Sequence, residues 1–151
     1  GTTMRILYVM TLLGALTALA AFPVLAENST KAGGYVIHHN AFSADTLSPD
    51  VAKAYGIQRS KYRGLLNISV IKEEAGTTGT PTPARVEVNT VNLTGQKSRI
   101  SMRELKDQDA IYYIGELPVY DQQTVNFVID VTPEGSTETF STTLRQQFFT
   151  E

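Results

Sequence analysis

Apolar and polar side chains alternate along most of the chain after residue 27, with a period of two residues. Leu66, Ile68 and Val70, for example, alternate with Asn67 and Ser69. A period of two places the apolar side chains on one face of a β-strand and the polar ones on the other. Seven segments fit a strand on this basis: residues 35–42, 66–70, 86–89, 100–103, 110–117, 126–131 and 137–144.

Short turn sequences separate several of these strands, at residues 94–96, 106–109 and 133–135. Short connections join antiparallel neighbours, whereas parallel strands need a crossover of about a dozen residues or more. We therefore predict an all-β fold, an antiparallel β-sandwich of about seven strands that is immunoglobulin-like or similar.

One segment, near residues 49–55, interrupts the strand pattern. Ser48 suits the N-cap of a helix, a proline follows at the first helical position, and Gly56 suits the left-handed residue after the last turn. These signals predict one short helix with Val51 and Tyr55 facing the sheet. Because the helix connects the first two predicted strands, we expect a crossover between sheets rather than a hairpin.

Residues 76–83 have the sequence GTTGTPTP, which is small, polar and rich in turn-forming residues. Two prolines exclude this segment from the centre of a sheet because proline lacks the backbone N–H group. We predict a solvated loop between the second and third of the predicted strands.

The apolar residues are concentrated near the start of the chain, where residues 4–26 contain 18 apolar residues out of 23. A single charge at Arg5, an apolar run, a proline and a small-residue tripeptide ending at Ala26 match a cleavable signal peptide. We predict a signal peptide in residues 1–26, a single domain in residues 27–151 and a periplasmic location. The alternative is a retained membrane anchor, since a helix of this length spans about 30 Å. We expect the protein to contact a membrane through this segment only if the segment is not cleaved.

The chain has 151 residues, no cysteine and a formal net charge of −2. The lack of cysteine excludes a disulfide framework, a thiolate metal site and a thiol nucleophile. Non-specific nucleic-acid binding needs many Lys–phosphate and Arg–phosphate contacts, so a mildly acidic chain predicts no nucleic-acid partner. No sequence motif of a serine hydrolase, a zinc protease or a phosphate-binding loop is present, and we predict no cofactor and no catalytic residue.

His38 and His39 are the two histidines of the chain. As neighbours on a strand they point to opposite faces, so they do not readily bind one metal ion together. A metal site or a small envelope enzyme built on either would need partners such as Asp45, Asp50 or Met102. This is the alternative function, and the favoured interpretation is a structural histidine without a metal.

Residues 53–63 carry four positive charges and no acidic residue. Lysine and arginine in such a segment bind carboxylates, phosphates or a protein partner. The same charges also fit solvated side chains, or an Arg59 that is held internally by Asp45 or Asp50. The candidate binding residues in and around this segment are His38, Asn40, Tyr55, Arg59, Ser60, Lys61 and Arg63.

Four sequence blocks, YVIHHNAF at 35–42, LSPDVAKAYGI at 47–57, RSK at 59–61 and RGLLNISV at 63–70, resemble domain of unknown function 4426 in their order and spacing. This is a family of exported proteins of gammaproteobacteria, so the resemblance implies a periplasmic location. It implies no catalytic residue, because the family has no established activity. We therefore predict a non-enzymatic binding or interaction module of the cell envelope, whose partner is an envelope protein, a peptide or an anionic component.

Overall fold

The structure, a computed structural model, describes residues 28–151 and shows ten strands and one α-helix in that range. The helix, α1, spans Pro49–Tyr55 and follows a single 3-10 turn at Ala44–Thr46. The strands are β1 (Ser29–Ala32), β2 (Tyr35–Ser43), β3 (Arg63–Lys72), β4 (Thr80–Pro81), β5 (Ala84–Val91), β6 (Lys97–Ile100), β7 (Met102–Asp107), β8 (Ala110–Pro118), β9 (Thr124–Pro133) and β10 (Phe140–Gln147).

The strands form two antiparallel sheets. The larger sheet has the order β1-β2-β3-β8-β7, with β4 paired to β3, and the smaller sheet has the order β10-β9-β5-β6. The prediction of an all-β antiparallel sandwich with one short helix is therefore confirmed. Each of the three predicted turns connects two hydrogen-bonded antiparallel neighbours.

The structure has more strands than the seven or so that the sequence predicts. β1 and β4 are too short to show a period of two residues, and β4 lies inside the threonine–proline segment predicted as a loop. The strand predicted at residues 100–103 divides at Ser101 into β6 and β7, which belong to different sheets. Alternation of side chains continues through this point, so the sequence pattern does not reveal the change of sheet.

The main core lies between the two sheets and is built from their inward-facing apolar side chains. Phe127 and Ile129 of β9, Val88 of β5 and Leu66 and Ile68 of β3 are completely buried there. Burial of apolar surface at about 25 cal/mol per Å² makes this layer the main favourable contribution to the stability of the sandwich.

A second apolar cluster lies on the outer face of the larger sheet, beneath α1. Leu65 and Ile114 of the sheet contact Ala52 of the helix and Ile57, which follows the helix. Leu65 and its neighbour Leu66 point to opposite faces of β3 and both are buried, so the sheet is covered on both sides at this point.

The helix begins and ends where the sequence predicts, but two predictions about its surroundings are wrong. The helix does not cross between sheets, because β2 and β3 on either side of it are hydrogen-bonded neighbours in the larger sheet. It contacts the sheet through Ala52 and, as predicted, through Tyr55, whereas Val51 is 39% exposed and does not face the sheet. The chain folds back over its own sheet because apolar side chains on the outer face, Leu65 among them, need a cover.

No helix within residues 28–151 is long and apolar enough to span a membrane. The predicted signal peptide, residues 1–26, lies outside the described residues. Its cleavage and the boundary of the predicted domain at residue 27 therefore stay predictions.

Candidate functional site

A cavity of about 220 Å³ lies between α1 and the outer face of the larger sheet, and we call it the helix pocket. Its lining is apolar or aromatic except for one amide side chain. The lining residues are Phe42, Leu47, Tyr55, Ile57, Leu65, Tyr112, Ile114 and Asn67. A mainly apolar cavity with one polar group is a common form of small-ligand site.

The register of the strands places the amide at the floor of this pocket. Asn67 of β3 lies opposite Asn40 of β2 on one side and opposite Ile114 of β8 on the other. Directly opposite residues of antiparallel strands point to the same face, with Cβ atoms about 4.5–5.5 Å apart. Asn40 is exposed and Asn67 is partly buried, so the two amides lead from solvent into the pocket.

The side-chain oxygen of Asn67, Oδ1, is buried and has no hydrogen-bond partner among the described residues. A buried polar atom without a partner costs about 1–3 kcal/mol of stability. Rotation of the amide by 180° exchanges its acceptor for its donor, so the floor of the pocket offers either one to a bound group.

Two arginines hold the walls of the helix pocket through main-chain carbonyl groups. Arg59 donates from Nε to the carbonyl of Leu47 at 2.7 Å and from Nη2 to the carbonyl of Asp45 at 3.0 Å. Arg103 donates from Nη2 to the carbonyl of Tyr55 at the end of α1. Arg59 is therefore held internally, as one of the two interpretations of the sequence proposes, but by main-chain oxygens rather than by a carboxylate.

Tyr55 forms part of the pocket wall and is fixed at its far end. Its hydroxyl donates to Oδ2 of Asp107 at 3.3 Å. Desolvation and the neighbouring carboxylate of Asp107 raise the pKa of the Tyr55 hydroxyl, so the hydroxyl stays protonated at neutral pH. Tyr55 thus serves as a neutral wall of the pocket.

The structure separates the predicted binding residues into two groups. Asn40, Tyr55 and Arg59 line, hold or adjoin the helix pocket, and His38 lies on the same outer face of β2 as Asn40. The remaining three residues lie beside the start of β3 instead. There Ser60 Oγ accepts from the N–H of Tyr62 at 3.1 Å, Lys61 Nζ lies 5.2 Å from the centre of the Tyr62 ring, and Arg63 Nε lies 3.8 Å from Glu116 Oε1.

The two histidines occupy different environments. His39 is 6% exposed, and its Nε2 lies 3.0 Å from Oγ1 of Thr30, which in turn lies 2.8 Å from Oγ1 of Thr142 in the other sheet. His38 lines a shallow cleft on the opposite face of β2, together with Glu73. No three His, Cys, Asp or Glu side chains in residues 28–151 come close enough to hold a metal ion. The described residues therefore offer no ligand set for the metal-binding alternative.

Comparison with protein families gives one match. The model of the family described as domain of unknown function (DUF4426) matches residues 29–151. The chain belongs to the DUF4426 family. The resemblance noted in the sequence blocks around His38, α1 and Arg63 is therefore confirmed, and the match extends beyond them to the end of the chain.

Solved structures agree with this assignment. A DUF4426 family protein of Pseudomonas aeruginosa PAO1 is similar to this DUF4426 chain with 28% identity and a TM-score of 0.69, over 82% of this chain and 94% of that one. FetP of uropathogenic Escherichia coli strain F11 is similar with 12% identity, a TM-score of 0.58 and the same coverage. A copper-bound variant of FetP gives 11% identity and a TM-score of 0.56, over 82% and 95% of the two chains. The FetP similarity shows the fold alone. No curated protein matches the chain.

The residue that sequence reasoning missed in this DUF4426 protein is Asn67. Asn67 alternates with Leu66 and Ile68, so the pattern assigns it to the solvent face of β3. An asparagine on a solvent face is common and does not indicate a binding site. The available signal was the adjacent pair Leu65 and Leu66, which breaks the alternation and indicates burial on both faces. A polar residue on a covered face is then a candidate for binding.

Proposed function

We propose that this DUF4426 protein is a non-enzymatic binding module of the cell envelope that takes a small apolar group into the helix pocket and pairs a polar substituent of that group with Asn67. The observation that carries the proposal is the buried Oδ1 of Asn67, which lacks a hydrogen-bond partner within residues 28–151 in an otherwise apolar cavity. Such an atom lowers the stability of the free protein, and a bound donor removes that cost.

The size and lining of the pocket define the class of ligand. A volume of about 220 Å³ lies below the range of about 300–1,000 Å³ that is usual for drug-sized ligands, so the pocket fits one ring or one branched aliphatic group. The exposed Asn40 amide beside Asn67 offers a second hydrogen-bonding group where the ligand leaves the pocket. Aromatic or branched amides and alcohols combine these features, either as free small molecules or as side chains of an envelope peptide.

A titration followed by two-dimensional NMR tests the proposal. Phenylacetamide represents the free small molecule, N-acetylphenylalaninamide represents a peptide side chain, and propionamide is the control without a ring. We expect phenylacetamide or N-acetylphenylalaninamide to shift backbone signals around the helix pocket, and propionamide to leave them unchanged. The stronger of the two aromatic probes identifies the source of the ligand.

Substitution of the amide separates a binding role from a structural one. Asn67→Leu removes the unpaired polar atom, so we expect a higher melting temperature together with at least about tenfold weaker binding of the aromatic probe. Asn89→Leu, a partly buried asparagine on the outer face of β5, is the matched control and should leave probe binding unchanged. No binding of either aromatic probe to the native protein, or equal binding to the Asn67→Leu variant, contradicts the proposal.

A further inference from the structure

The three exposed aromatic side chains among the large apolar residues within residues 28–151 lie at one end of the sandwich. They are Tyr62, Tyr120 and Phe149, with exposed fractions of 59%, 73% and 57%. We call this surface the aromatic end. Leu93, which is also exposed, lies in the turn between β5 and β6 at the same end, because β5 finishes beside the start of β9. Among the five exposed large apolar side chains of this range, only Val51 of α1 lies elsewhere. Clustered exposure of apolar side chains is unusual on a soluble surface and marks a site of interaction.

Hydrogen bonds join the three segments that carry these rings. The N–H of Val119 donates to the carbonyl of Tyr62 at 2.9 Å, and the N–H of Tyr120 donates to Oε1 of Gln123 at 2.9 Å. The carbonyl of Gln123 in turn accepts from the N–H of Phe148 at 2.8 Å. The rings therefore project from a bonded framework, and their exposure is not a consequence of a loose loop.

Two buried side chains anchor this framework to the sandwich. Val119 and Phe148 are each 2% exposed, and each is followed directly by an exposed ring, Tyr120 and Phe149. Both pack over Gly64, where an added Cβ would lie only 2.8 Å from Cε1 of Phe148. The chain thus buries one side chain of each pair and holds the next one outward in a fixed position.

Positive charge accompanies the aromatic end. Lys61 Nζ lies 5.2 Å from the centre of the Tyr62 ring, a cation–π geometry that keeps the ammonium group beside the exposed ring. Arg59 precedes it by two residues and donates only to neutral carbonyl groups. Neither cation has a carboxylate within ion-pair distance in the described part of the chain.

Carboxylates also lie at the aromatic end, and one of them has a cationic partner. Glu116 pairs with Arg63 at 3.8 Å, and Oδ1 of Asp121 accepts from the N–H of Thr150 at 2.9 Å. Asp121 keeps its negative charge, because an N–H group does not neutralise a carboxylate, and Glu151 lies two residues after Phe149. The positive charges of Arg59 and Lys61 therefore lie on the Tyr62 side of the aromatic end.

The direction of β1 relates the aromatic end to the preceding part of the sequence. β1 is antiparallel to β2, with Ser29 opposite His38, so its first residue faces the end of the sheet where β2 finishes and β3 begins. That is the end that carries Tyr62. The strongly apolar residues 4–26 come directly before this point in the sequence. β1 therefore runs away from the aromatic end.

We infer that the aromatic end docks on the surface of a lipid bilayer that contains anionic headgroups. Tyrosine places its ring among acyl chains and its hydroxyl among headgroups, which is why it is enriched at membrane interfaces, and phenylalanine adds a purely apolar contact. Arg59 and Lys61 add attraction to anionic lipid. Arg59 is the one residue that this surface shares with the helix pocket, so the variants used to test each site leave Arg59 unchanged.

Vesicle flotation tests this inference. The protein used is residues 27–151, because residues 4–26 would partition into lipid by themselves, and both apolar clusters are built within residues 37–148. We expect it to float with vesicles of phosphatidylethanolamine and phosphatidylglycerol. The variant Tyr62→Ser/Tyr120→Ser/Phe149→Ser should bind about tenfold more weakly or worse, since three rings leave the apolar phase. Lys61→Gln should lower binding to these vesicles severalfold and leave binding to phosphatidylcholine vesicles unchanged.

The control is Val51→Ser, which removes the exposed apolar side chain that lies outside the aromatic end of the sandwich and should float like the native chain. Circular dichroism of every protein, the native residues 27–151 included, establishes that it is folded. Failure of the folded native chain to float, or equal flotation of the folded triple variant, overturns the inference. So does ring-dependent sedimentation with purified peptidoglycan in the absence of flotation, which would assign the surface to a glycan.

Discussion

Two side chains of the larger sheet with buried polar atoms, those of His39 and Asn67, differ in the hydrogen bonds that those atoms make. His39 lies in a hydrogen-bonded chain through Thr30 to Thr142, which links the two sheets. Asn67 Oδ1 has no partner among the described residues. A chain of polar side chains that are all hydrogen-bonded helps to specify the packing of the sandwich. An amide oxygen without a partner lowers stability until a ligand donates a hydrogen bond to it.

The stability of the protein should depend on the protonation of His39. Burial is the main cause that lowers its pKa from 6.5, and the nearby His38 lowers it further. The unfolded chain therefore binds a proton at a higher pH than the folded one, so the free energy of unfolding falls as the pH drops below about 6.5 towards the folded pKa. Urea denaturation across this range should show a smaller pH dependence for His39→Gln than for the native chain. His38→Gln keeps His39 and removes only the smaller cause of its lowered pKa, so it should keep most of the pH dependence. An unchanged slope in His39→Gln contradicts the assignment.

At the scale of elements, α1 depends on its surroundings because an isolated helix of seven residues is not stable in water. Ser48 Oγ accepts from the N–H of Val51 at its start, and Gly56 ends it in the left-handed conformation with a φ of +67°. The arginine contacts to the main chain on both sides then fix the helix over the sheet. The helix pocket is the space between this short helix and the sheet, with the Asn67 amide on the sheet side.

Gly56→Ala should test this dependence. The left-handed conformation costs an L-residue about 1–2 kcal/mol, and the new Cβ meets no atom closer than Arg103 Nη1 at 3.9 Å, so the effect is conformational. We expect a lower unfolding free energy by that amount and weaker binding of the aromatic probe. Gly34→Ala, with a φ of +84° and open space around its Cβ, should lose similar stability and keep probe binding. Equal probe binding by both variants would show that the helix end does not shape the pocket.

At the scale of the whole molecule, the two sheets are connected at Ser101, where the chain passes from one to the other, and through a hydrogen bond between them. The chain passes from the smaller to the larger sheet at Ser101, and Gly115 makes room for it, since a Cβ there would lie 2.5 Å from Sδ of Met102. Tyr113 of the larger sheet accepts from the N–H of Ala84 in the smaller sheet at 2.8 Å. These connections need neither a disulfide nor a metal, which suits a chain without cysteine.

The proposed place of the molecule in the envelope depends on residues 1–26. The charge, apolar run and small-residue tripeptide in this segment predict export and cleavage before Glu27. Mass spectrometry of a periplasmic fraction should therefore find a chain that begins near Glu27. A full-length chain in the membrane fraction would instead support a retained anchor. Ala26→Arg, which spoils the small residue before the cut, should block processing, whereas Ala21→Arg alters charge elsewhere in the segment and serves as the comparison.

The sequence by itself determined the local features of this protein. The period of two in residues such as Leu66, Ile68 and Val70 predicts strands with one apolar face, and short turns make those strands antiparallel. Ser48 and Gly56 fix the ends of α1 because caps depend on neighbouring residues alone. These predictions hold because each concerns interactions within a few residues of chain.

Only the tertiary structure decided which faces are covered and which distant residues meet. Whether Asn67 faces water or a pocket depends on a helix folded over the sheet. The adjacent pair Leu65 and Leu66 indicates that the outer face of β3 is covered, but not which element covers it. The contacts of Arg59 depend on the tertiary structure too, since its partners are main-chain oxygens. Tyr62, Tyr120 and Phe149 come together from three separate segments, because the sandwich aligns their ends. Binding surfaces form when residues that are distant in the sequence pack together, so local sequence patterns do not show which of those residues meet.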